Sequence, residues 1–311
     1  MRMLREVRDV SDRKGTLGCS DIGAIYDAST YKSARDIALA YKGEAPEPTL
    51  EQAIAFEMGH DLEPMIAELI KKHYGMKLRE ARYRYLCLKE PRLGCHPDRL
   101  VIGNSTEAVE IKSSSAFDNA RWGEADSDMV PYDYLLQCYG YFICIPKVET
   151  VYLFRFSNNR LTRYIIRRPA ESLLNGIVEH LTEWMDKVES GWMPEPRTFK
   201  EAIKAWAPQD GTGEANNSLL QIVAEYNSYS DEIKQIEEKQ ELLKLSIVKY
   251  LEEHKLAGLY DASTNKNVCM YSEISRSSID SKLLKEKYPE IADECTRVAK
   301  FNQLKINKPR K

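Results

Sequence analysis

The sequence predicts a mixed α/β protein, a central sheet flanked by helices, followed by a separate C-terminal module of helix and hairpin. Three observations predict it. Between about residues 20 and 190, amphipathic stretches of helical period interleave with short runs rich in β-branched and aromatic residues. Two turn signals, Gly103-Asn104-Ser105 and Asn158-Asn159, each lie between strand-like runs. The run Pro208-Gln209-Asp210-Gly211-Thr212-Gly213 has linker chemistry, so residues 1–207 are expected to form one domain and 214–311 another.

Taken in order, Arg2 to Lys14 is charged and reads as irregular. Ser20 opens a helix, with Asp21 in its first turn and Ile22, Ile25 and Tyr26 on one face. Ser20 there is an N-cap, and a hydroxyl beside free N–H groups also suits an anion. Ser33 to Lys42 is a second helix stopped by Gly43, and Glu44 to Thr49, with two prolines, is a loop. Leu50 to Tyr74 is a long helix on which Gly59 and Glu63 share a face, and Pro64 should bend it by removing a backbone donor. Met76 to Lys89 alternates apolar residues with Arg79, Arg82 and Arg84, as a strand with one exposed face does.

Asp98 to Ile102 and Glu107 to Ser113 read as a β-hairpin. Residues 116–130, largely polar and with Trp122 between acidic groups, are expected to be a mobile loop beside the site. Pro131 starts a helix through Tyr132, Leu135, Leu136, Tyr139 and Phe142, with Gln137 the uncharged polar residue amid the aromatic stripe. Val148–Phe156 and Arg160–Arg167 form a second hairpin. Arg155, Arg160, Arg163, Arg167 and Arg168, interleaved with Tyr152, Phe154 and Tyr164, make the best basic-aromatic patch in the chain, although a solvated strand face reads the same way. A helix from Pro169 to Ser190 ends at Gly191.

Past the linker, Leu219, Ile222, Tyr226, Tyr229, Ile233, Ile236, Gln240, Leu243, Ile247 and Tyr250 recur at steps of three and four. Such a seam needs another helix against it. The terminal helix from Ser281, with Leu283, Leu284, Ile291 and Ala292, is the first expectation; another subunit or a partner protein is the alternative. A hairpin turns at Thr264-Asn265-Lys266.

Composition excludes several classes. There is no run of about 18 apolar residues and no charged-then-apolar leader, so an intracellular, cytoplasmic protein with no membrane contact is expected. Seven cysteines, odd in number and without a CxxC, argue against a disulfide scaffold and against a zinc site. With a net charge of −3, no global basic field draws in nucleic acid, and any DNA contact must come from local patches.

The chemistry concentrates in His96-Pro97-Asp98 and Glu110-Ile111-Lys112. Residues two apart on a strand share a face, so Glu110 and Lys112 point together. A three-residue loop centred on Asn104, with Gly or Asn left-handed, places Ile102 opposite Thr106, Leu100 opposite Ala108 and Asp98 opposite Glu110. That register leaves Val101, Val109 and Ile111 on the other, apolar face. Two opposed carboxylates repel unless a cation lies between them. Oxygen ligands select a hard ion, Mg²⁺ with Mn²⁺ as a substitute, and two ions are expected. Lys112, its pKa lowered by a nearby cation and by burial, is expected to orient or deprotonate an attacking water.

Pro97-Asp98 followed by Glu110-x-Lys112 resembles the motif of the PD-(D/E)xK nuclease superfamily. Gly18-Cys19-Ser20-Asp21-Ile22, Gly59-His60-Asp61-Leu62-Glu63-Pro64, Pro131-Tyr132 and Gln137 follow the order of its lambda-exonuclease branch, the YqaJ-like viral recombinases. Together these matches cover roughly residues 10 to 195. The resemblance implies a restriction-endonuclease-like core and a Mg²⁺-dependent 5′ to 3′ exonuclease on double-stranded DNA. Such an enzyme exposes 3′ strands for a single-strand annealing recombinase, as a trimeric ring, in a phage or prophage of a bacterial host. It implies Asp98, Glu110 and Ile111 as the metal-binding positions, Glu63 as a third acidic group, and Gln137 reaching the carboxylates or the water. It also implies Arg13, seven residues before Ser20, as a partner of Ser20 in holding the 5′-phosphate. The alternatives are a structure-selective or restriction-type endonuclease on the same centre, which a 5′-phosphate pocket disfavours, and a non-catalytic DNA-binding assembly protein, which the filled catalytic positions disfavour.

Overall fold

The computed structural model of the chain describes residues 5–6, 14–114, 116–275, 277–297 and 302–306. It divides into two units, Met1–Thr198 and Phe199–Lys311. In the first unit the strands are β1 (Arg5–Glu6), β2 (Leu17–Gly18), β3 (Leu78–Glu80), β4 (Tyr83–Leu86), β5 (Leu93–Cys95), β6 (Arg99–Val101), β7 (Glu107–Ser113), β8 (Thr150–Ser157) and β9 (Arg160–Arg167). The helices are α1 (Ile22–Ile25), α2 (Ala34–Lys42), α3 (Leu50–Tyr74), α4 (Tyr132–Cys144) and α5 (Glu171–Glu189).

Local chemistry accounts for the helix boundaries. Ser33 caps α2 by accepting from Asp36 N while the Asp36 carboxylate takes Ser33 N, and Gly43 ends the helix at φ +74°. Thr49 and Gln52 cap α3 in the same way, and Gly75 closes it at φ +66°. The helix is continuous through Pro64.

The central sheet has the order β3-β6-β7-β8-β9, antiparallel except for the parallel β7–β8 pair. A parallel pair needs a crossover, and α4 lies in that connection. The alternation along β7 fills two cores. Val109 and Ile111 pack with Phe154 and Leu78 under Ile66, Ala67 and Ile70 of α3. Ala108, with Leu100, Val151 and Leu153, faces a larger core that includes Leu136 and Phe142 of α4 and Leu181 of α5. Each such aliphatic side chain contributes about 1.5–3 kcal/mol when fully buried.

Several expectations are corrected. Met76–Lys89 is not one strand: β3 pairs with β6 in the central sheet, whereas β4 pairs with β5 and β1 in a second sheet of order β1-β4-β5-β2. Arg5–Glu6, expected to be irregular, supplies β1. Ser20 is not an N-cap; a 3₁₀ turn Cys19–Asp21 leads into α1, and the Asp21 carboxylate accepts from Gly18 N at 2.9 Å. Segment 116–130 is tied to the sheet rather than free. Asp126 N donates to Arg163 O, and Trp122 packs on the Tyr134 and Tyr164 rings at 5.5 and 5.1 Å.

Register splits the basic-aromatic patch on β8 and β9 between the two faces of the sheet. Thr162 stands opposite Arg155 and Arg163 opposite Phe154, which puts the two arginines on opposite faces. Arg155 is buried, donating to Ser114 Oγ and Asn119 Oδ1 over the Trp122 ring. Arg163 pairs with Asp126, and Arg168 with Glu171 and the carbonyls of Phe142 and Val148.

The second unit contains α6 (Phe199–Ala205), α7 (Asn217–Glu253), the antiparallel hairpin β10 (Gly258–Asp261) and β11 (Lys266–Met270), α8 (Ser281–Lys287) and α9 (Pro289–Cys295). The division falls ahead of α6, which the sequence reading placed in the first domain. Asn265 takes φ +52° in the hairpin turn. The α7 seam is not covered by the terminal helices. Its nine apolar positions are 42–66% exposed, from Ile247 at 42% to Leu243 at 66%. Among the described residues, no helix is long and apolar enough to cross a membrane.

Candidate functional site

The site grows out of the β6–β7 turn. Gly103 takes φ +87°, a conformation that costs a residue without Cβ nothing, and Asn104 Oδ1 accepts from Thr106 N and Oγ1 at 3.1 and 2.7 Å. The turn sets Leu100 opposite Ala108 and Arg99 opposite Val109. Continued by one residue, this register puts Asp98, just ahead of β6, across from Glu110.

Asp98 Oδ2 accepts from Ile111 N at 2.7 Å. A strand residue presents its N–H and C=O at the same edge, so the Ile111 carbonyl faces the side occupied by Asp98. Glu110 is buried and accepts three contacts: Lys112 Nζ at 2.6 Å, Gln137 Nε2 at 2.6 Å and the Tyr141 hydroxyl. Lys112 also lies 5.2 Å from the centre of the Tyr134 ring. Glu63, on α3, pairs with Arg99, whose guanidinium also donates to the Asp98 carbonyl at 2.6 Å.

These residues share one cleft of about 640 Å³, lined by Gly18, Cys19, Ser20, His60, Glu63, Arg84, His96, Asp98, Arg99, Glu110, Lys112, Gln137 and Tyr141. The structure thus brings Asp98, Glu110, Lys112, Glu63, Gln137 and Ser20 together. Arg13 lies outside the described residues. Gly59 adjoins the same residues, and a Cβ there would meet nothing within 4 Å. A second groove, of about 580 Å³, shares Pro64, Glu80 and Arg99 with the first and adds Lys71, Arg79 and Arg82. Basic side chains thus line this groove on the α3–β3 side, together with Glu68 and Glu80.

Electrostatics favour a cation at the carboxylates. Burial raises the Asp98 pKa well above the usual carboxylate range, and the charges of Glu110 and Glu63 add to the shift against the opposing charge of Lys112. An oxygen-only donor set strained by like charge fits a hard divalent ion, and Asp98, Glu110 and the Ile111 carbonyl are the groups that could hold one. Lys112 departs from expectation. Burial lowers its pKa, but the charges of Glu110 and Asp98 outweigh burial and raise it above the ordinary lysine value. With no cation bound, the two carboxylates favour the charged form of Lys112.

Two participants escaped the sequence reading. Tyr141 sits one helical turn after Gln137, a spacing that places both on one face of α4, but an aromatic residue on an aromatic helix gives no signal of its own. Arg99 follows Asp98 directly; its pairing with α3 depends on tertiary placement. A third feature is a group of thiols behind the cleft. The Sγ atoms of buried Cys19, Cys95 and Cys144 lie within 4.8 Å of one another. Burial raises the Cys144 pKa, but donation by the Cys19 and Cys95 thiols and the charge of Arg84 bring it down to about 5. All seven cysteines are free.

Residues 10–147 match the YqaJ-like viral recombinase domain. The matched stretch lies within the first unit. Among solved structures, the chain is similar to an alkaline exonuclease from Laribacter hongkongensis at 17% identity, over 58% of this chain and 90% of that one, with a TM-score of 0.44. The same exonuclease in complex with dAMP aligns at 17% identity over 58% and 91% of the two chains, with a TM-score of 0.45. No curated protein matches the chain.

Proposed function

We propose that the chain is a Mg²⁺-dependent exodeoxyribonuclease of the PD-(D/E)xK type that degrades double-stranded DNA from 5′ to 3′, leaving 3′ single strands for recombination. The observation that carries this is the convergence of Asp98, Glu110 and Lys112 with Glu63 and Gln137 in one cleft of a YqaJ-like domain. Asp98, Glu110 and the Ile111 carbonyl would hold the divalent ion, which when bound would supply charge neutralisation at the scissile phosphate and lower the pKa of an attacking water. Lys112, kept charged by Glu110, orients that water and stabilises the negative charge that develops on the phosphate oxygens. Gln137 and Tyr141 fix the Glu110 carboxylate by hydrogen bonds. Glu63, turned toward the cleft beside Arg99, is the third acidic group. Ser20, on the cleft wall, and Arg13 receive the 5′-phosphate. Lys71, Arg79 and Arg82 supply phosphate contacts for the duplex. The exposed α7 seam suits a second copy of the chain or a single-strand annealing partner.

The test is digestion of duplex DNA labelled at the 5′ or the 3′ end, with Mg²⁺ and with EDTA. Mononucleotide release from 5′ ends in Mg²⁺ alone, abolished in Asp98→Ala, is the expected result. Release from 3′ ends overturns the polarity, and full activity of Asp98→Ala or in EDTA overturns the metal centre.

A further inference from the structure

Three cysteines separated by 76 and 49 residues in sequence meet behind the cleft, on three different elements: Cys19 in the 3₁₀ turn, Cys95 at the end of β5 and Cys144 at the end of α4. All three are buried, and Cys19 and Cys144 are 3.8 Å apart at Sγ. We propose that Cys19, Cys95 and Cys144 hold a structural Zn²⁺ ion, separate from the oxygen-lined centre of Asp98 and Glu110.

Four observations support this. A tetrahedral ion with Zn–S bonds of about 2.3 Å has sulfur–sulfur edges of about 3.8 Å, which the Cys19–Cys144 pair already meets. The third sulfur, of Cys95, lies within 4.8 Å of both others, so that one ion would reach all three. Three thiolates around Zn²⁺ carry one net negative charge. The Arg84 guanidinium offsets it, acting on Cys95 and Cys144 from where it is fixed by Thr16 Oγ1 and the Leu17 carbonyl. Cys19 also borders the cleft, and the fourth ligand would be a water entering from there. Thiolates select Zn²⁺ over Mg²⁺, and the two centres do not compete for one ion.

The position gives the ion a purpose. Gly140 on α4 has no Cβ because one would lie 2.4 Å from Cys19 Sγ, so the 3₁₀ turn presses directly on the helix. Ser20 follows Cys19, Asp98 lies three residues past Cys95, and Gln137 and Tyr141 precede Cys144 on α4. One ion on the three sulfurs pins the three elements that carry the cleft, and its binding free energy adds to folding.

The full chain, purified without metal-affinity resin and dialysed against EDTA and excess Mg²⁺, is expected to contain one zinc per chain by elemental mass spectrometry. Zinc should leave on thiol modification with a mercurial. It should be absent from Cys19→Ser and Cys144→Ser and retained in Cys295→Ser, whose thiol is exposed and outside the cluster. Reconstitution of the unfolded wild type with Co²⁺ is expected to give a thiolate-to-cobalt charge-transfer band, a readout that does not depend on the variants folding. Metal-free protein whose Tm is unmoved by added Zn²⁺, zinc retained in both cluster variants, or a mass two hydrogens lighter from a Cys19–Cys144 disulfide would each overturn the assignment.

Discussion

Removal of Glu110 tests the electrostatic reading of the cleft, because the structure gives its carboxylate two opposite effects. With Asp98 it forms a repelling pair, and on that ground alone its loss should stabilise the protein. But Glu110 is 2% exposed and is the partner of Lys112 at 2.6 Å, of Gln137 at 2.6 Å and of the Tyr141 hydroxyl. Glu110→Ala leaves an ammonium group that is mostly buried without its nearest counter-charge, and strands two further donors. Breaking a buried pair from one side costs about 3–5 kcal/mol. Relief of the Asp98 repulsion offsets only part of this, since Lys112 still lies near Asp98. For a domain of some 200 residues, 3–5 kcal/mol corresponds to a fall in Tm of roughly 6–20 °C. The assay is urea unfolding in EDTA of wild type, Glu110→Ala, Lys112→Met and the double variant. The double variant should recover part of the loss, because the stranded charge goes with it. A Glu110→Ala protein as stable as wild type, or strictly additive losses, would refute the claim that Glu110 is the anchor of this network.

Asp98 should behave in the opposite way. Its folded pKa is raised above the unfolded value of about 3.9. The native state is therefore unpenalised below about pH 4 and loses stability as pH rises through the folded pKa. Asp98→Asn in EDTA should be more stable than wild type near neutral pH, with a gap that closes toward pH 4; a gap independent of pH refutes the shift. Gly140→Ala puts a methyl group 2.4 Å from Cys19 Sγ and should cost about 1–3 kcal/mol by urea titration. If Arg13 holds a terminal phosphate, Arg13→Ala should slow digestion of 5′-phosphorylated ends about ten- to a hundredfold, as for a charge-assisted contact of about 1.5–3 kcal/mol. It should barely affect 5′-hydroxyl ends, and equal losses on both assign it another role. A chain ending at Thr198 should stay folded and bind Mg²⁺, since every candidate residue precedes it, while its mass in light scattering falls if α7 mediates assembly. An insoluble product would make the second unit part of the core.

Local rules account for what the sequence determined by itself. Helix α3 runs from Leu50 to Tyr74 as read, because Thr49, Gln52 and Gly75 encode its caps within a few residues of each end. The hairpin register was legible because a period of two allows one solution in which Val109 and Ile111 are apolar together and Glu110 and Lys112 polar together. Tertiary structure decided whatever depended on partners distant in sequence. Periodicity alone could not divide Met76–Lys89 between two sheets, since β3 and β4 choose different neighbours. Nor could composition tell a DNA-facing arginine from Arg155, which is buried against Ser114 and Asn119. The sign of the Lys112 shift followed from which carboxylates crowd it, a balance of burial against charge that no spacing encodes. Cys19, Cys95 and Cys144 carry no motif, because a ligand set assembled from a turn, a strand end and a helix end becomes a set only when the chain has folded.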